Sequence, residues 1–190
     1  MLSVFGGLML VGCSDESQSP VASTEQGSLA KESIELTFTS QPAYGHPNTA
    51  IVGAYMKIAG RTIHLKDFPV TDSVVASDPL MTGKMDHQLS LKLDLITGEG
   101  PCNGKFTLTP TNLALTGGGV WEGIYEGYRS KTDNPFVFTL PLKMVAHGKG
   151  GTINGWQVFN KANLIVYTVA ASHQLPVWWN ATGSGVIKQH

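Results

Sequence analysis

The chain has 190 residues, with 13 Lys and Arg set against 14 Asp and Glu, for a formal charge of -1. That balance leaves no electrostatic footprint for nucleic acid, and having Arg61 and Arg129 as its only arginines weakens a phosphate-binding role further. A hydrophobic share of 42% beside 14% charged residues describes a globular protein with a lightly charged surface.

An apolar run, Leu2 to Val11, ends in Gly12-Cys13 and is followed by polar Ser14-Asp15-Glu16-Ser17. A short apolar segment closed by a small residue reads as a secretory signal, not as a membrane span. Leu10-Val11-Gly12-Cys13 resembles the bacterial lipobox, in which the signal is cut before the cysteine and the cysteine carries lipid. The resemblance implies a signal segment over 1–12, lipidation at Cys13 and a membrane partner reached through the lipid anchor. It places the protein in the bacterial cell envelope, periplasmic or associated with the outer membrane. Ser14 after the cysteine resembles the outer-membrane pattern. No Lys or Arg precedes the apolar run, the first being Lys31, which points to a start further upstream. The plainer alternative is an ordinary amino-terminal segment with an incidental cysteine. In the lipobox reading residues 13–32 form the lipidated Cys and a polar, flexible tether, and 33–190 a single domain.

From Ser33 the pattern alternates. Ile34, Leu36 and Phe38 fall on one face and Glu35, Thr37 and Thr39 on the other, which predicts a half-buried strand. Ile51 to Ile58 and Arg61 to Val70, split by Ala59-Gly60, predict a hairpin. Thr71 to Lys84 reads as a loop. Met85 to Ile96 puts His87, Leu89, Leu91, Leu93 and Leu95 on one face, a two-residue period that no helix would satisfy. Gly100-Pro101-Cys102-Asn103-Gly104 reads as a tight turn before a strand over Lys105 to Thr109. If Cys13 is lipidated, Cys102 has no disulfide partner; without a base nearby in sequence it reads as packing, not as a reactive thiol. Further strands are predicted over Val120 to Arg129, Phe136 to His147, Thr152 to Phe159, Leu164 to Ala170 and Val177 to Ile187. The fold class is therefore all-β: a small closed antiparallel β-barrel of about eight strands, with a β-sandwich as the alternative.

Of the 22 glycines, those after residue 31 concentrate in Gly117 to Gly127 and Gly148 to Gly155. Trp121, Gly123, Tyr125, Gly127 and Arg129 share one strand face, where aromatic rings can lie over glycines and let a small barrel bend. These segments, with Gly183-Ser184-Gly185-Val186 in the last strand, resemble the allene oxide cyclase-like barrels, the group that includes the dirigent proteins. The likeness covers about residues 110 to 160 plus the last ten, and departs from the family pattern at Ala146, where a glycine is usual. It implies an eight-stranded barrel with an apolar axial cavity, binding a hydrophobic small molecule or steering a cyclisation, and association as a homo-oligomer.

Candidate residues follow from that face. Trp121, Tyr125 and Trp156 are candidates for contact with an apolar ligand. Glu122, Glu126, Tyr125 and Arg129 are the candidates for an acid, base or orienting group. Glu122 and Glu126 lie opposite Trp121 and Tyr125, so the solvent face is their simpler assignment; turned into an apolar cavity, either would gain a raised pKa. Arg129 suits a ligand carboxylate or a stack on an aromatic ring. His147 falls on the outer face with Lys143. The histidines lack paired spacing, so no metal or other cofactor is expected. Trp178 and Trp179 must face opposite ways in a strand. Three functions remain open: a tethered barrel that binds a small hydrophobic ligand, a cyclase-like enzyme acting in the cavity, and a filled-core interaction module of the envelope. The first two require an internal cavity. The second also requires an ionisable group inside it.

Overall fold

In the computed structural model, residues 32–44, 54–168 and 176–189 are described. Nine strands are described: β1 (Ser33–Pro42), β2 (Met56–Ala59), β3 (Thr62–Ala76), β4 (Gly83–Asp94), β5 (Gly100–Pro110), β6 (Val120–Lys131), β7 (Val137–Lys149), β8 (Gln157–Thr168) and β9 (Pro176–Lys188). The one described α-helix of regular hydrogen bonding is the single turn α1 (Leu113–Thr116). Every pairing is antiparallel, and the order β1-β9-β8-β7-β6-β5-β4-β3 returns to its start through β3 on β1. The result is a closed eight-stranded barrel, with β2 as an extra strand on β3. Closure leaves few free edges on a β protein with little surface charge to protect them.

Alternation decides what fills the barrel. Leu36 and Phe38 of β1, Leu89, Leu91 and Leu93 of β4, and Trp121, Tyr125 and Arg129 of β6 all point inward and are buried. The rings lie over glycines, as the pattern predicts. A side chain on Gly123 would meet the Phe106 ring, one on Gly104 the Tyr125 ring, and one on Gly183 the Phe38 ring. Each glycine gives a neighbouring strand's aromatic a flat place to lie, so the sheet can curl tightly without emptying its interior.

β3 departs most from the predicted elements. It does not stop at Val70 but continues to Ala76. A β-bulge between Leu65 and Phe68, with Asp67 at φ 51°, inserts one extra residue opposite β4. The bulge resets the inward phase, from Ile63 and Leu65 before it to Phe68, Asp72 and Val74 after it. Ahead of the bulge β3 carries β2, from Met56↔Leu65 to Ala59↔Thr62. Beyond it, β3 pairs with β1 from Phe38↔Ala76 to Pro42↔Asp72 and closes the barrel.

Two other expectations change. Gly100-Pro101-Cys102-Asn103-Gly104 is strand, not turn, and runs inside β5 with Cys102 buried. The segments Thr152 to Phe159 and Leu164 to Ala170 are not separate strands: Gln157–Thr168 is one strand, and Thr152 lies in a 3₁₀ turn, Gly151–Ile153. The expectations for Ile51 to Gly53 and for Val169 to Ala170 lie outside the described residues, as does Cys13.

One end of the barrel is sealed. The β3–β4 connection holds a 3₁₀ turn (Pro79–Met81), the β5–β6 connection holds α1, and the β7–β8 connection holds Gly151–Ile153. Met81, Trp121 and Ile153 are buried beneath them. Trp121 Nε1 donates to the Leu80 carbonyl at 2.9 Å, and Thr152 Oγ1 donates to the Leu115 carbonyl at 2.9 Å. The space left inside the barrel lies away from this plug.

Candidate functional site

The barrel interior encloses a cavity of about 60 Å³. Its wall is mainly apolar, with Phe38, Met85, Leu89, Leu142, Met144 and Val166 among its side chains. Into the same space come Ser40 of β1, Asp72 of β3, His87 of β4, Cys102 of β5, Tyr125 and Arg129 of β6, and Trp179 of β9. Polar groups converging on an apolar cavity are the usual composition of a small-molecule site.

The polar groups form a chain. Asp72 is 3% exposed. Ser40 Oγ donates to its Oδ2 at 2.7 Å, and Trp179 Nε1 donates to both carboxylate oxygens at 3.1 and 3.2 Å. His87 Nε2 lies 3.7 Å from Asp72 Oδ1, beyond hydrogen-bond length. On its other side, His87 Nδ1 lies 2.8 Å from the Tyr125 hydroxyl. A buried carboxylate is tolerated only when donors surround it, and here they come from β1 and β9.

Local sequence explains these positions. Asp72 points inward because the bulge at Asp67 shifts the phase of β3. His87 points inward because it keeps step with Leu89 and Leu91. Tyr125 reaches across to His87 because the residue opposite it on β5 is Gly104; a side chain there would strike the ring and its hydroxyl. Trp179 faces in and is buried, whereas its neighbour Trp178 is half-buried.

Burial tunes the titratable groups. Desolvation pushes the Tyr125 hydroxyl far above its ordinary value, so it stays protonated and able to donate. The Cys102 thiol is pushed from 9.0 up to about 12, again mainly by desolvation. It is therefore a poor nucleophile at neutral pH. Arg129 is 1% exposed, and its guanidinium carbon sits 3.8 Å from the centroid of the Phe138 ring. Desolvation pulls it down to about 10, which leaves it charged at neutral pH.

Of the residues singled out in sequence, the structure brings Tyr125 and Arg129 to the cavity. Glu122 and Glu126 lie exposed on the outer wall and do not meet it. Trp121 belongs to the sealed end, and Trp156 is half-buried; neither lines the cavity. His147 is exposed. Sequence reasoning missed Ser40 and Asp72, weighed His87 only as a metal ligand, and took Trp179 no further than one of two tryptophans facing opposite ways. The signal for His87 was present, since it stands in an otherwise leucine-lined face. Among the described residues no group of three or more His, Cys, Asp or Glu is placed to hold a metal ion.

No family model, curated protein or solved structure matches the chain.

Proposed function

We propose that the protein is a membrane-tethered barrel of the cell envelope that holds a small, mainly apolar molecule, its polar end directed at Asp72, His87 and Tyr125. The observation that carries this reading is the cavity, apolar over most of its wall and polar at one convergent cluster. A filled-core interaction module would place bulky side chains there instead. The volume of about 60 Å³ suits a guest of few atoms or the end of a longer one. Met85 and Met144 in the wall are unbranched and can shift to admit more. The tether belongs to the same proposal and rests on Leu10-Val11-Gly12-Cys13. Membership of the allene oxide cyclase-like group is likewise proposed; the closed eight-stranded barrel is the fold that the resemblance implies.

Mass spectrometry of organic extracts from natively purified full-length protein tests the reading. A compound recovered at one equivalent per chain is the expected result. Clean extracts, repeated after incubation with envelope lipids, would reject it. Metabolic labelling with a fatty acid tests the tether, with label expected on the protein and lost in Cys13→Ala.

A cyclase-like activity is the second reading. It is favoured by one observation: ionisable Asp72, His87, Tyr125 and Arg129 all line the cavity. It predicts that the extracted molecule, supplied in excess, is converted to an isomer, and that Tyr125→Phe slows the conversion.

A further inference from the structure

We propose that the guest is a neutral alcohol, whose hydroxyl bridges His87 Nε2 and Asp72 from the cavity beside them. The proposal rests on the ligand-holding reading and adds the chemistry of the guest's polar end. The His87 side chain is 8% exposed and lines the cavity. Its Nδ1 is taken by Tyr125, but its Nε2 is fully buried and has no hydrogen-bond partner among the described residues. An unpaired atom of this kind is rare in a folded interior and calls for a partner.

The proton positions follow from the neighbours. A bare Nε2 lone pair facing the Asp72 carboxylate would be repelled, so Nε2 carries the proton. In the neutral ring Nδ1 is then the acceptor, and the Tyr125 hydroxyl donates to it. The gap of 3.7 Å between Nε2 and Asp72 Oδ1 is too long for a direct bond. It is short enough for one oxygen to sit within bonding distance of both.

That oxygen must accept from Nε2–H and donate to Asp72. A hydroxyl does both. A ketone or ester oxygen accepts only and would turn a lone pair toward the carboxylate. An ammonium donates only. A carboxylate would add a second negative charge beside Asp72 in apolar surroundings. It is still the sharpest competitor, because Arg129 brings a positive charge to the same cavity, already placed over the Phe138 ring. Water meets the same two requirements. An alcohol displaces it and adds hydrocarbon contact with Met85, Leu89 and Met144.

The test is titration of full-length protein with four probes of matched size: n-butanol, butanone, butyrate and butane. The readouts are the ¹⁵N resonances of His87 Nε2 and Trp179 Nε1. Butanol should shift both and bind at least about tenfold more tightly than butanone or butyrate, the worth of one hydrogen bond to a charged group. Equal or tighter binding of butyrate or butanone overturns the alcohol assignment and leaves the ligand-holding reading standing. Binding of none of the four overturns both and assigns the gap to water. In Asp72→Asn the amide can donate to a ketone, so butanol's advantage over butanone should shrink. An undiminished advantage in a folded variant also overturns the assignment. The wild-type series decides the matter if that variant does not fold.

Discussion

Cys102 shows how strongly the interior acts on a single side chain. Folding moves its thiol from 9.0 to about 12, chiefly by taking the thiolate's water away. The folded value is raised, so the stabilising contribution is complete below pH 9 and is lost as pH climbs from 9 through 12. Over that range the unfolded chain gives up its proton and the folded chain keeps it. Tyr125 acts in the same direction from pH 10 upward. Melting temperature should therefore fall steeply above pH 9, and Cys102→Ala should flatten the first part of the fall. Thiol-specific reagents at pH 8 should label Cys102 in the native protein far more slowly than in denaturant. At this scale the sequence was partly legible. Tyr125 and Arg129 share the Trp121 face, and counting by two along β6 places them inside. Asp72 was not legible: it falls in the stretch read as a loop, and even counting by two from Ile63 and Leu65 sends it outward. The extra residue at Asp67 reverses the count, and nothing in Lys66-Asp67 announces it beyond an Asp able to adopt positive φ.

Among the strands, β5 and β6 depend on each other through a missing side chain. The strand pair sets Gly104 opposite Tyr125, and the ring occupies the space a Cβ would need. In Gly104→Ala the new methyl would also meet the Gln88 carbonyl of β4. The ring must move away, and the Tyr125–His87 hydrogen bond must break. A loss of about 1–3 kcal/mol is expected from overpacking alone, measurable by urea denaturation. The ¹⁵N signature of His87 Nδ1 should shift at the same time. By contrast Gly118→Ala meets no atom nearby, and strains only its left-handed backbone (φ 81°). A smaller loss is expected there, with His87 unchanged. The clean strands β1, β4 and β6 were legible because most of their inward positions are large and apolar or glycine, with Ser40, His87 and Arg129 the exceptions. β8 was not, because its inward set includes buried Asn160 and small Ala162. That composition breaks the apolar alternation and made one strand read as two. In β5, Gly100, Pro101 and Gly104 imitate a turn, yet a side chain at Gly100 would strike the Lys92 carbonyl of β4. Close packing of neighbouring strands, not reversal of the chain, is what the glycines serve.

For the molecule as a whole, the polar cluster and the closure of the barrel coincide. Asp72 sits on β3 in the short stretch paired with β1, and its donors Ser40 and Trp179 come from β1 and β9. Asp72→Ala would leave the Ser40 hydroxyl and the Trp179 indole buried without acceptors, a loss of about 1–3 kcal/mol for each group left unsatisfied. Hydrogen exchange should quicken first along Phe38 to Pro42 and Asp72 to Ala76. Equal quickening across all strands would show that the cluster does not hold the seam.

The first and last strands of the barrel are neighbours, paired from Ser33↔Lys188 to Ser40↔Ala181, and Gln189 N still donates to the Glu32 carbonyl at 3.1 Å. The β1–β9 ladder thus joins stretches of chain separated by almost the entire domain, and such distant pairings make folding slow. A circular permutant, with 189 linked to 32 through a few glycines and new ends opened between Asp133 and Asn134, turns that ladder into a local hairpin. The same cut makes the β6–β7 ladder the distant pairing in its turn, so the permutant's spectrum should match the parent's and its refolding rate in stopped-flow should change little.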